Sequence, residues 1–130
     1  MEKFYALTNK FVKGRELKSL GLKFVKATNS SLFYNGFQYK IGENKKKTHS
    51  DRKLSGFTFY PLQLLGEFFV YNSCYHEVTF EDDEIIFIND NGICRAHKIV
   101  LYNTVHFSSM PNDVRQMVLK EYPYAIQFMN

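Results

Sequence analysis

The sequence predicts an α+β domain on a largely antiparallel, split sheet, with a short helix after the central strand and a C-terminal helix. Three observations carry this. Residues 74–101 (CYHEVTFEDDEIIFINDNGICRAHKIVL) read as strand, acidic turn, strand, Asn/Gly turn and strand. The chain has 13 Phe and 9 Tyr but no Trp, and flat rings suit the pleated faces of sheets. Val114, Met117, Val118 and Tyr122 recur at i, i+3, i+4 and i+8, one face of a helix that stops before Pro123. At 130 residues the chain suits a single domain, 1–130, of a size that buries roughly two-thirds of its unfolded surface.

Taken in order, Phe4–Thr8 has the content of a first strand, closed by Asn9. A short helix is expected around Glu16–Leu20, ended by Gly21, and then a strand over Leu22–Ala27 with Leu22, Phe24 and Lys26 on one face. Asn35-Gly36 signals a two-residue hairpin, because both positions tolerate positive φ. After it Phe37, Tyr39 and Ile41 alternate with polar residues. Residues 43–55 contain one aliphatic side chain, Leu54, and read as a loop. Gly56–Tyr60 is a short buried strand, and Pro61 is placed to open a helix that Gly66 interrupts, with Val70-Tyr71 extended. Tyr75–Phe80, Glu84–Ile88 and Ile93–Leu101 are strands. Ser109 is expected to cap the last helix, with Pro111 as its first residue. The core region spans about 4–105 and a C-terminal helical extension about 109–130.

The N-terminus lacks a signal-peptide pattern, and no apolar run approaches the ~18 residues that span a bilayer. Cys74 and Cys94 are expected to be free thiols in a reducing compartment. A soluble, intracellular protein that is not secreted and binds no membrane is therefore expected. The net charge of +4 divides into +9 over residues 1–60 and −5 over 61–130. Halves of opposite sign are expected to neutralise each other, because one small domain interleaves them; the alternative is two poles presented to different partners.

Three clusters invite chemistry. Cys74, His76, Cys94 and His97 form a ligand set that zinc accepts, but strand geometry spreads them over two faces, so no metal and no cofactor is expected. Lys45, Lys46, Lys47, Arg52 and Lys53, with Tyr34, Phe37 and Tyr39 nearby as stacking surfaces, form the candidate binding site; clustered cations neutralise phosphates and rings stack bases. Glu81–Glu84 lacks the spacing of a calcium loop and reads as an acidic turn. No Gly-x-Ser-x-Gly, phosphate-cradling glycine loop or His-Glu-x-x-His is present. No catalytic residue is assigned.

Several blocks resemble an uncharacterised domain family of mimivirus-type giant viruses, with phage and bacterial relatives, often found N-terminal to ankyrin repeats. Phe4-Tyr5-Ala6-Leu7-Thr8-Asn9 is similar to that family's opening Phe-Tyr-x-Leu-Thr-Asn. Asn35-Gly36-Phe37-Gln38-Tyr39-Lys40-x-Gly42-x-Asn44 is the most specific block. Glu77-Val78-Thr79-Phe80-x-Asp82-Asp83 and Arg95-Ala96-His97-Lys98-Ile99-Val100-Leu101 complete it. The chain departs from the family by about two dozen inserted residues before Tyr34, by Tyr34 where a His is usual, and by the absence of ankyrin repeats.

The resemblance implies a viral setting, in host cytoplasm or virion, and no established activity. The expected function is a non-enzymatic protein-interaction module or virion-associated protein of a large DNA virus, with a viral or host protein as partner. One alternative is an ADP-ribosyltransferase-like enzyme or a degenerate relative, by analogy with small split sheets; its early Arg or His has no counterpart at Tyr34. A second is a non-specific nucleic-acid binder acting through the basic loop 45–53.

Overall fold

A computed structural model describes residues 1–34, 36–46 and 56–129. Among the described residues ten strands are formed: β1 Lys10–Lys13, β2 Phe24–Thr28, β3 Phe33–Tyr34, β4 Phe37–Gln38, β5 Gly42–Lys45, β6 Phe57–Pro61, β7 Cys74–Thr79, β8 Ile85–Ile88, β9 Cys94–Ala96 and β10 Lys98–His106. Eight of them make one antiparallel sheet in the order β1-β8-β9-β6-β2-β7-β10-β5, and β3 and β4 form a separate hairpin. The helices are α1 Glu2–Tyr5, α2 Gly14–Lys18 and α3 Asn112–Glu121. The fold is α+β, as predicted. Among the described residues no helix is long and apolar enough to cross a membrane.

The sheet is split at β6. Its first half, Phe57–Phe59, pairs with β9, while Tyr60 and Pro61 pair with Val25 and Phe24 of β2. Beyond Val25 the ladder between β2 and β6 stops, and side chains take over its polar groups. The Ala27 N–H donates to the Tyr60 hydroxyl at 2.7 Å, and the Lys26 amine donates to the Thr58 carbonyl at 2.8 Å. Buried backbone groups must be satisfied somewhere; here two side chains hold the fork open.

Period-two alternation gives the sheet two unlike faces. Val25, Ala27, Tyr60 and Tyr75 lie on one, under a 3₁₀ segment Leu62–Phe68, α3 and a second 3₁₀ segment Pro123–Phe128. Phe24 and Val78 lie on the other, where Phe4, Leu17, Phe59, Ile86 and Leu101 complete a second core.

Several elements differ from expectation for identifiable reasons. Phe4–Thr8 is a helical turn and not a strand: it sends Phe4 alone fully inward, 6.2 Å from Phe24, and Asn9 (φ 62) then reverses the chain into β1. The first α-helix after it starts at Gly14, where a Cβ would collide with the Glu81 carbonyl oxygen. β4 stops at Gln38, leaving Ile41 exposed, and β5 occupies part of the expected loop 43–55 by pairing with β10. The remainder of that loop, from residue 47, lies outside the described residues.

Pro61 ends β6, since it has no N–H for a ladder, and the helix after it is 3₁₀. Gly66 lies within that turn instead of breaking it, because a Cβ there would strike the Tyr122 ring of the C-terminal cap. Val70-Tyr71 is a turn with Tyr71 at φ 67, not extended. The strand expected over Ile93–Leu101 is two, β9 and β10, divided at His97. Pro111, not Ser109, precedes α3, and no side chain caps it. Asn89–Gly92 is the turn expected; the Asn89 amide oxygen accepts from the Asn91 and Ile93 N–H groups at 2.9 and 3.0 Å. Ion pairs Lys18–Asp82, Lys23–Glu77 and Lys98–Glu43 join the basic half to the acidic half.

Candidate functional site

The fork between β2 and β6 opens into a cleft of about 290 Å³. The β3–β4 hairpin is positioned over it by Asn29, whose side-chain oxygen accepts from the Ser31 and Phe33 N–H groups at 3.0 Å each. Five rings line the cleft: Tyr34, Phe37, Tyr39, Phe57 and Phe68. Phe37, Tyr39 and Phe57 meet in a herringbone, with centroids 4.8 to 5.5 Å apart, a geometry set by ring quadrupoles. Thr58 and Asn89 add polar atoms, and Lys46 and Arg95 supply cations.

Lys26 lies behind this wall, 1% exposed. Its amine donates to the Thr58 carbonyl at 2.8 Å and hydroxyl at 2.7 Å, and lies 4.2 Å from the Tyr34 ring centre and 4.9 Å from that of Tyr39. Oxygens and ring faces favour the ammonium form, while burial favours the neutral amine. Burial prevails and brings the amine down to about 7. The same enclosure pushes the Tyr39 phenol well above its ordinary value, with the nearby Tyr34 adding to it.

His76 is the direct cross-strand partner of Lys26, and Cys74 that of Thr28. His76 is fully buried; its Nε2 lies 2.7 Å from the Thr28 hydroxyl and its Nδ1 2.9 Å from that of Thr104. Burial first, then the charges of Lys26 and His106, pull its pKa down to about 4, so the ring is neutral at pH 7. Cys74 Sγ is 3.8 Å from Nε2, but both side chains are enclosed and the imidazole is occupied by two hydroxyls. This stripe is a satisfied polar network across three strands.

Of the residues expected to bind, Tyr34, Phe37, Tyr39 and Lys46 come together around the cleft. Lys45 is exposed on β5 and lines a neighbouring hollow with Phe37 and Lys40. Lys47, Arg52 and Lys53 lie outside the described residues. The proposed metal ligands separate: Cys74 and His76 are together, whereas Cys94 is buried on β9 between Phe59 and Ile88. Among the described residues no group of three or more His, Cys, Asp or Glu could hold a metal ion. Three of the four acids of residues 81–84 are held by partners: Asp82 by Lys18, Glu81 by Lys98 and Glu84 by the His97 N–H.

Sequence reasoning missed Thr58, Phe68, Asn89 and Arg95, which reach the cleft from four separate segments. It placed Lys26 on an apolar strand face without assigning it a role. A lysine in register with Phe24 was the available signal. No family model, curated protein or solved structure matches the chain.

Proposed function

We propose that the chain is a non-enzymatic protein-interaction module, in a large DNA virus or its virion, that holds a viral or host protein through its hairpin edge. The supporting observation is Tyr71. Its side chain is 95% exposed and its backbone is left-handed at φ 67, a conformation that costs a bulky residue of order 1–3 kcal/mol and persists only where the surroundings impose it. Beside it, Phe33 and Val70 are 45% and 51% exposed and share with Tyr71 a hollow of about 440 Å³. Tyr34 and Phe68 line both this hollow and the cleft, so the apolar surface is continuous. Contiguous exposed aromatics rimmed by polar residues are how interfaces present their anchors. The buried titratable groups behind the cleft, Lys26 and His76, are engaged in bonds within the sheet, which favours a binder over an enzyme.

The double substitution Phe33→Ser, Tyr71→Ser changes two exposed side chains. Co-precipitation from lysate of the cells in which the protein is made is expected to retain a discrete set of proteins with the wild type and to lose it with the variant. An unchanged set, or none with either, rejects the proposal, provided circular dichroism shows the variant folded.

A further inference from the structure

We infer that the cleft under the β3–β4 hairpin is a binding site for a nucleoside monophosphate unit, its base among the rings and its phosphate at Lys46. This goes beyond the protein-interaction reading and does not depend on it, because Phe33, Val70 and Tyr71 lie outside the cleft lining.

Size sets the first limit. The cleft, at about 290 Å³, is at the lower end of the roughly 300–1,000 Å³ typical of small-molecule sites, enough for one ring system with a substituent. The rings set the second. Phe37 is 37% exposed at the cleft edge, and Tyr39 and Phe57 lie behind it, so a planar ligand meets aromatic surface on entering. A base has two π faces, and every base stacks on such rings whatever its identity.

Polar atoms set the third. The Tyr34 and Tyr39 hydroxyls have no hydrogen-bond partner among the described residues. The Asn89 side-chain oxygen is occupied by two backbone N–H groups, which leaves its amide NH₂ as the donor to offer. A purely apolar anchor would waste these groups; the edge of a heteroaromatic base uses them.

Charge sets the fourth. Lys46 lines the cleft, and no carboxylate does among the described residues. Lys40 and Lys45 extend the positive surface along the adjoining hollow. A ligand with one ring system and one anionic group matches this complement, and a phosphate is the anion for which Lys and Arg are suited.

The test is titration of the full chain, by calorimetry or ligand-observed NMR, with adenosine 5′-monophosphate and thymidine 5′-monophosphate. Adenosine, inorganic phosphate and phosphotyrosine serve as controls. Saturable binding of a nucleotide is expected, at least about tenfold tighter than of adenosine or phosphate alone. Phe37→Ala and Lys46→Ala are each expected to weaken it by on the order of tenfold; both positions reach solvent, so one failure to fold leaves the other informative. An oligothymidylate that binds tighter than the mononucleotide identifies a single strand as the source of the unit, and equal or weaker binding identifies the free nucleotide. Absence of saturable nucleotide binding, indifference to both substitutions, or tighter binding of phosphotyrosine than of either nucleotide overturns the proposal.

Discussion

The two faces of the central sheet are closed in different ways. On one, Val25, Ala27, Tyr60 and Tyr75 meet the C-terminal cap through hydrocarbon and stacked rings: Tyr60 on Phe68 at 3.8 Å and Phe69 on Phe107 at 4.1 Å. On the other, at the hairpin end, Lys26, Thr28, Cys74 and His76 are buried side by side and closed by Tyr34 and Tyr39. Apolar burial is indifferent to pH and to the identity of a partner atom. A buried amine is indifferent to neither. The first face confers stability, and the second links stability to protonation beside a cleft.

The sharpest contrast comes from removing one side chain on the apolar face. Phe69 is fully buried and touches both Phe107 and Phe128. Phe69→Ala is expected to cost about 3–5 kcal/mol in chemical denaturation. That loss is expected to be the same at pH 6 and pH 9, since no titratable group of depressed or raised pKa is its partner. A loss that varied with pH would show the two faces to be coupled.

Lys26 breaks the comparison from the other side. Its amine is at about 7 when folded and about 10.5 when unfolded, so between these values the unfolded chain binds the extra proton. Stability therefore rises with pH across this window, and the contribution is absent below pH 7. From pH 7 to 9.5 the gain is on the order of 3 kcal/mol. Above the ordinary tyrosine range, near 10, Tyr39 and Tyr60 oppose it, because burial raises both phenols. His76 adds a smaller total gain in the same direction at lower pH, from about 4 to 6.5. Lys26→Met keeps the stem and removes the titration. Denaturation midpoints of the variant are expected to stay level between pH 7 and 9.5, and a wild type that is level there refutes the buried amine.

How much of this could be read in advance depended on whether a signal was local. The β3–β4 pairing, the acidic turn, the Asn89–Gly92 turn and the periodic face Val114–Tyr122 each follow from neighbours within a turn or two, and each is present. Phe4–Thr8 failed because an aromatic-rich pentapeptide suits a strand, whereas the fold needed only Phe4 inside. Pro61 was legible to within one residue: the short helix follows it, starting at Leu62, while its own fixed φ and missing N–H serve the end of β6. The cleft was half legible: Tyr34, Phe37, Tyr39 and Lys46 are close in sequence, while Thr58, Asn89 and Arg95 arrive by the strand order around β6. The split itself, with Lys26 and Tyr60 completing what the ladder leaves, depends on two strands parting after two residue pairs. Nothing in either strand's own composition marks that point.

The smallest expected effect isolates what is special about Lys26 by comparing it with another lysine. Lys98 also sits between two oxygens, Glu81 at 2.6 Å and Glu43 at 2.8 Å. There the carboxylate hydrogen bonds, from Glu43 first and then Glu81, raise the amine above its ordinary value, and water reaches all three groups. A raised lysine contributes below its unfolded pKa and loses the contribution only as pH climbs past about 10.5. Between pH 6 and 9 it is therefore silent, and solvent and salt screen the pair. Lys98→Gln is expected to leave the thermal midpoint unchanged within error at 150 mM salt, with any small loss confined to low salt. If Lys98→Gln instead reproduced the pH profile of Lys26→Met, the link between protonation and stability would lie in the surface ion pairs and not in the fork of the sheet. Partners of similar number and distance would then give the two lysines the same behaviour, and burial would have lost its role as the deciding term.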